Sequence, residues 1–325
     1  MGIKSLTKLI KKNAMKSIKN ESLTCLRDKT VAVDASLFIY KSLMTINTEY
    51  NGKEIGHIIG ILNKTVNYLM FNITPIYIFD GKAPDEKRTT LDERNKRANL
   101  AKKNMELSNN IEDKQKYKKR SIRLTKNHIN DVKELLQALG VSYIHLNKGE
   151  AEGIASELSR INYVDYVVTE DMDALTFGCK KLVRSCIDKS YKRKDIVSIF
   201  DLNILLAELN ITHDEFIELC ILCGCDYCKN IPKIGICKSL DIIHRYKTID
   251  NFITSSKMEL PDNYIEQYQS SIKIFNSYKD IFNQGVPIQT FPMDKYKLIE
   301  LLKKSCNMNP KKINNIIMKL DKFTI

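Results

Sequence analysis

Apolar and polar positions alternate in two ways along this chain. Short β-prone runs end on an acid, at Lys29-Thr30-Val31-Ala32-Val33-Asp34 and at Thr74-Pro75-Ile76-Tyr77-Ile78-Phe79-Asp80. A third run, Tyr166-Val167-Val168, leads into Thr169-Glu170-Asp171-Met172-Asp173. Between them lie segments of helical periodicity, predicted over residues 2–20, from Ala35 with Ser36 as its cap, and over 57–71, 127 onward, 150 onward and 201–223. Two further strands are predicted, at Val141–Leu146 and Lys181–Arg184, and Asn51-Gly52 signals a turn. Strands alternating with helices predict an α/β fold with a mainly parallel sheet covered on both faces. Asp34, Asp80 and Asp171 would then share the carboxyl edge, where ligands of such sheets bind.

The stretch Val167–Gly178 admits two readings. Carboxylates at i and i+2, Asp171 and Asp173, repel unless a cation sits nearby, which suggests a divalent metal site. A solvated acidic turn would look the same locally. The start Glu150-Ala151-Glu152 is similarly ambiguous, because a helix macrodipole favours acids in its first turn.

Charge narrows the choice of partner. The 325 residues hold 52 Lys and Arg against 39 Asp and Glu, a net +13. An acidic partner follows, nucleic acid ahead of a membrane surface. Residues 82–126 carry 15 Lys/Arg and 7 Asp/Glu, a net +8, and read as one or two charged helices. Such a run can be a solvated surface or a phosphate-facing element, and the surplus of one sign favours the second. No apolar run reaches the roughly 20 residues a membrane span needs, and the first residues lack a secretory apolar core. Nine cysteines in a long chain predict reduced thiols in an intracellular compartment. Cys220, Cys223, Cys225 and Cys228 form two C-x-x-C pairs, yet all lie within nine residues at a helix end. A structural zinc site needs a loop between its pairs, so incidental thiols are the better reading. Ile231–Ile236, between two helices, can offer backbone N–H groups to a phosphate.

The candidate acids are Asp34, Asp80, Glu150, Glu152, Asp171, Asp173 and Asp226. Carboxylates without histidine suit Mg²⁺. Two such ions about 4 Å apart can activate water and stabilise the leaving oxygen of a phosphodiester.

With these residues assembled, the chain resembles a flap endonuclease of the structure-specific 5′-nuclease superfamily. The matching segments are Met1-Gly2-Ile3 with Leu6 and Lys8-Leu9-Ile10, Val33-Asp34-Ala35-Ser36 with Ile39-Tyr40, and Phe79-Asp80-Gly81-Lys82 with Pro84. They continue with Glu150-Ala151-Glu152, Thr169–Asp173 with Leu175-Thr176-Phe177-Gly178, and Leu219–Leu222 with Gly224 and Asp226-Tyr227-Cys228. The resemblance covers residues 1–245 and implies a PIN-like, mainly parallel β-sheet flanked by helices, with a helical arch and a helix–turn–helix DNA-binding element. The implied division is a nuclease core over 1–245, with the arch at about 82–126 and the helix–turn–helix at about 215–245, and a helical extension over 246–325 packed on it.

The resemblance also implies roles. The seven acids would be metal ligands for two Mg²⁺ ions, with Mn²⁺ able to substitute. Asp34, Asp80 and Asp171 would be central to catalysis, joined by Lys87 and Arg94 on the scissile phosphate. An i,i+7 spacing would put Lys87 and Arg94 on one helix face. Tyr40 would stack on a base, Gly2 would lie near the reacting phosphate, and Lys82, Lys233, Gly235 and Lys238 would contact DNA, with K⁺ at the helix–turn–helix. Lys233 stands where the family usually has glycine, and Ile236 where proline is common, which weakens the K⁺ inference. Glu170 is outside the matched set and would point away from the metals. The expected activity is that of a 5′ flap endonuclease and 5′–3′ exonuclease on branched double-stranded DNA with a 5′ flap, acting in replication and repair as a monomer. Alternatives are a mainly exonucleolytic or Holliday-junction-cutting member, and a non-catalytic DNA-binding scaffold. Leu320-Asp321-Lys322-Phe323 only faintly echoes a sliding-clamp motif, so clamp binding by that route would be weak or absent. The expected location is the nucleus or a viral replication compartment; the Lys, Asn and Ile bias fits an AT-rich viral or compact parasite genome.

Overall fold

The computed structural model describes residues 2–322 except Lys189, Lys192, Lys194, Lys257 and Gln284. Phe323, the last residue of the clamp-motif echo, lies outside the described residues. Among the described residues nine strands occur in chain order: β1 (Ile18–Ser22), β2 (Thr30–Asp34), β3 (Glu49–Tyr50), β4 (Lys53–Glu54), β5 (Thr74–Phe79), β6 (Tyr143–His145), β7 (Tyr166–Val168), β8 (Lys181–Ser185) and β9 (Ile196–Asp201). The chain falls into two compact units that interleave in sequence.

The first unit comprises Met1–Cys25, Lys82–Lys87 and Lys148–Val286. Its strands run β1-β9-β8-β7. Strands β7 and β8 are parallel, with Val167 opposite Leu182, whereas β9 is antiparallel to both β8 and β1. Leu182 and Phe200 are fully buried and share this sheet's core with Leu158 and Leu175. Burying each such side chain is worth about 1.5–3 kcal/mol.

Strand β9 lies outside the predicted strands although Ile196-Val197-Ser198-Ile199-Phe200 is a β-prone run; it abuts the helical run from residue 201, and its Ser198, Ile199 and Phe200 are buried. The helix expected over residues 2–20 covers only Leu6–Asn13. Ala14 breaks away, and the amides of Lys16 and Ser17 donate to Glu208 Oε2 at 2.9 and 3.2 Å. A carboxylate from the helix Leu202–Leu209 thus takes donors that a longer helix would have used, and the chain is freed to form β1.

The second unit comprises Leu26–Gly81, Arg88–Asn147 and Pro287–Ile325. Strands β2, β5 and β6 are parallel, with Val33 opposite Tyr77 and Ile78 opposite Ile144. Helices Ala35–Thr45, Gly56–Met70 and Lys126–Ala138 belong to this unit. Asp34 caps the first of these: its Oδ1 accepts from Leu37 N at 2.9 Å. Ser36, expected as the cap, is already inside the helix. At Asn51-Gly52 both residues have positive φ, 48° and 72°, and close the β3–β4 hairpin.

The basic segment forms two helices, Arg88–Leu107 and Ile111–Ser121. Ala101 is the one buried residue of the first, and the second has none among the described residues. Polar ties hold them instead: Arg123 Nη2 donates to Asn95 O at 2.7 Å and Asn99 Oδ1 at 2.8 Å. Asn110 caps the second helix, and Lys118, Lys119 and Arg120 occupy its last turn, where the macrodipole favours cations.

Candidate active site

Strand β7 delivers the acids at its carboxyl end. The Asp171 amide donates to Thr169 Oγ1 at 3.1 Å, and the Asp173 amide to Asp171 Oδ1 at 3.2 Å, so the turn curls its carboxylates inward. Both side chains are buried, at 7% and 4% exposure. The Ile3 amide donates to Asp173 Oδ1 at 2.9 Å, bringing the N-terminal segment onto the acids. Gly2 adopts φ +76°, and any Cβ there would collide with Asp171 Oδ1. Burial, then the neighbouring Asp171 and Asp226, push the Asp173 carboxyl well above its ordinary value. Glu170 faces away, accepting from the Ser185 amide at 3.1 Å and pairing with Arg184 at 3.4 Å.

The helix Ala151–Arg160 begins at Glu150, which is 4% exposed and ion-paired with Lys87. Lys87 Nζ also lies 3.4 Å from Asp226 Oδ2. Burial pulls the Lys87 ammonium down, but Glu150, Glu152 and Asp226 outweigh it and hold it above its ordinary value. Tyr227 donates its hydroxyl to Glu150 Oε2; burial, then Glu150, push that phenol well up.

Glu150, Glu152, Asp171, Asp173 and Asp226 therefore come together with Lys87 inside the first unit. Among the described residues, no three donors converge at metal-ligating distance; Lys87 lies against Glu150 and Asp226 instead. The donor set nonetheless fits a hard divalent cation. It is all oxygen, largely buried, and holds more negative charge than one ammonium balances.

Asp34 and Asp80 belong to the second unit. They follow one another at the carboxyl edge of neighbouring parallel strands, since Asp34 pairs with Ile78 and Asp80 comes just after β5. Asp34 is 2% exposed. The Asp80 carbonyl lies 3.1 Å from His145 Nε2. Tyr40 and Arg94, also in this unit, are half-buried. The expected single helix face for Lys87 and Arg94 does not form. Lys87 closes a 3₁₀ turn, its amide donating to Pro84 O at 3.1 Å, and the helix starts only at Arg88.

The remaining expected DNA contacts are exposed: Lys82, Lys233, Gly235 and Lys238. Helices His213–Cys223 and Ile236–Tyr246 flank the 224–235 turn, anchored by buried Ile231 and Ile234. Lys233 has φ +66°, the left-handed conformation that a glycine takes without strain. Cys223, Cys225 and Cys228 are pushed up to about 12 by burial, so they are protonated thiols. Two aromatics at the site escaped sequence reasoning. Tyr227 stood inside a quoted motif without a role. Tyr278 lies in a stretch with no recognisable chemistry, and its hydroxyl accepts from the Glu150 amide at 2.8 Å.

Comparison with known proteins agrees with this geometry. The XPG N-terminal domain matches residues 1–101 and the XPG I-region matches residues 140–226. Flap endonuclease 1 of Glycine max is 35% identical over 334 residues, spanning 98% of this chain and 86% of its own. The chain belongs to the flap endonuclease family. Flap endonuclease 1 of Encephalitozoon cuniculi is 31% identical, across 98% of this flap endonuclease and 94% of its own length. Among solved structures, flap endonuclease-1 from Methanococcus jannaschii superposes with a TM-score of 0.69 at 25% identity, covering 94% of this chain and 96% of that one. The catalytic core of Rad2 in complex with DNA substrate reaches a TM-score of 0.74 at 24% identity, covering 98% and 100%. These structures share with this flap endonuclease the mainly parallel sheet flanked by helices.

Proposed function

We propose that this flap endonuclease cuts branched DNA at the base of a 5′ flap, using two Mg²⁺ ions for which Mn²⁺ can substitute. The observation that carries the reading is the buried group of Glu150, Asp171, Asp173 and Asp226 closed around Lys87. Divalent ions held there would supply an activated water and charge for the leaving oxygen. In this reading Glu150, Glu152, Asp171, Asp173 and Asp226 hold metal, as do Asp34 and Asp80. Lys87 exchanges its carboxylate partners for the scissile phosphate, and Arg94 adds a second positive charge. Tyr40 stacks on a base beside the cut, and Gly2 leaves room for the substrate near Asp171. Lys82, Lys233 and Lys238 meet phosphates, and the Gly235 amide, at the start of a helix, offers a donor to one of them, with K⁺ bound at the same helix–turn–helix.

Functionally, residues 1–245 carry the nuclease chemistry and the arch at 82–126 takes the single-stranded flap, while 246–325 supports them. The enzyme acts as a monomer in replication and repair, in a nucleus or viral replication compartment, without tight clamp binding through its last residues. Among the described residues no helix is long and apolar enough to cross a membrane. The deciding experiment incubates labelled flap, nicked, gapped and four-way-junction DNAs with Mg²⁺, beside Asp171→Ala. The flap substrate is expected to be cut fastest, and Asp171→Ala to bind it without cutting. Undiminished cleavage by Asp171→Ala would overturn the mechanism, and preferred cutting of the four-way junction would overturn the substrate.

A further inference from the structure

The acids of the first unit rest on a small aromatic cluster, and one member of it reaches a metal-site backbone atom. Tyr278 follows the helix Tyr264–Asn276. Its ring packs edge-on to Phe177 at 5.2 Å and 83°, in the segment just past Asp171 and Asp173. Phe275, on the same helix, meets Phe177 at 4.9 Å and Tyr227 at 5.4 Å. The aromatics that follow the Asp171/Asp173 pair and Asp226 are thereby tied to one element.

Tyr278 goes further than packing. Its ring lies against Gly149 and Gly153, the glycines that bracket Glu150 and Glu152. A Cβ on Gly153 would sit 2.6 Å from the Tyr278 ring, and one on Gly149 would sit 3.1 Å away. Both glycines leave the space the ring fills. The hydroxyl then takes the Glu150 amide, a donor at the start of a helix whose N-cap side chain makes no capping bond.

We infer that Tyr278 is a positioning residue for the metal site, fixing the start of the helix that carries Glu150 and Glu152. The inference rests on the metal-binding role proposed for these acids. Phenylalanine at 278 would keep the ring and lose the acceptor. The Glu150 amide would then lose this acceptor, loosening the backbone that aims its carboxylate. Outer partners of metal ligands commonly carry about tenfold or more of metal affinity.

The test measures Mn²⁺ binding to the full chain without DNA, from the electron paramagnetic resonance signal of free Mn²⁺. Tyr278→Phe is expected to raise the dissociation constant about tenfold. Gly153→Ala, which drives a methyl into the ring, is expected to do the same from the opposite side. Flap cleavage by Tyr278→Phe should recover at high Mg²⁺, which a general folding defect would not allow. Tyr268→Phe is the control: its hydroxyl serves Glu218 and Asp250, away from the metal acids, and Mn²⁺ binding should be unchanged. Wild-type affinity in both Tyr278→Phe and Gly153→Ala would overturn the inference, as would equal weakening by Tyr268→Phe. Failure of the wild-type protein to bind Mn²⁺ would sink the metal reading itself. A loss of flap preference with the Mn²⁺ pattern intact would sink only the substrate reading.

Discussion

Asp173 is a buried acid whose charged form the fold disfavours. Its carboxyl, ordinarily near 3.8, is raised by burial and by Asp171. In chelator, folded Asp173 keeps its proton at pH values where the unfolded chain has lost it. The folded state then binds more protons, so unfolding free energy falls as pH rises from about 3.8 through the raised folded value. Divalent metal should remove this slope. Asp173→Asn is expected to flatten it and raise the melting temperature in chelator, while cleavage is lost; Asn can still accept from Ile3. A slope of the opposite sign in thermal melts would refute the assignment. Gly2→Ala places a methyl on Asp171 Oδ1 from a backbone at φ +76°. Single-turnover cleavage is expected to drop on the order of a hundredfold with little change in melting temperature. The five acids gathered in the first unit were legible because Asp171 and Asp173 follow a β-prone run, Glu150 and Glu152 open a helix, and Asp226 follows a helix end. Tyr278 was not, since its partner is a backbone amide 128 residues away and no local pattern encodes that contact.

At the scale of elements, the turn between helices His213–Cys223 and Ile236–Tyr246 joins stability to binding. Lys233 holds a left-handed backbone, which costs an L-residue about 1 kcal/mol. Lys233→Gly is expected to stabilise the protein by about that amount in urea melts. The same change should weaken duplex binding and lower the magnitude of its salt slope by about 1. Unchanged binding would remove Lys233 from the DNA interface. Strands β2, β5 and β7 and the two helices of the basic segment were readable because their patterns are strong and their ends are marked. Strand β1 was hidden by its polar residues and β9 by running straight into the helical pattern from residue 201, and the first helix ended early because Glu208, about 190 residues on, takes the amides of Lys16 and Ser17.

Across the whole molecule, the sequence and the fold divide the chain differently. Motifs stop near residue 245, yet the compact units draw on segments from both sides of that point. Helices Ile249–Ser256 and Tyr264–Asn276 belong to the first unit, and Lys295–Lys304 and Pro310–Asp321 to the second. A chain ending at residue 245 would strip helices from both and remove the buried Phe275 and Leu298. It is expected to give a disordered circular dichroism spectrum and no Mn²⁺ binding; a folded, metal-binding fragment would refute this.

The amide of Ile3 reaches Asp173 across 170 positions of sequence, and Tyr278 reaches back to Glu150 from the other direction. No short stretch of this chain can therefore assemble the acids by itself. Long-range closure of this kind is slow. A nascent or partly unfolded copy would carry the carboxylates but could not gather them, so it would pass harmlessly among the cell's DNA. The ability to cut would appear only with the finished fold, making flap cleavage a reporter of complete folding.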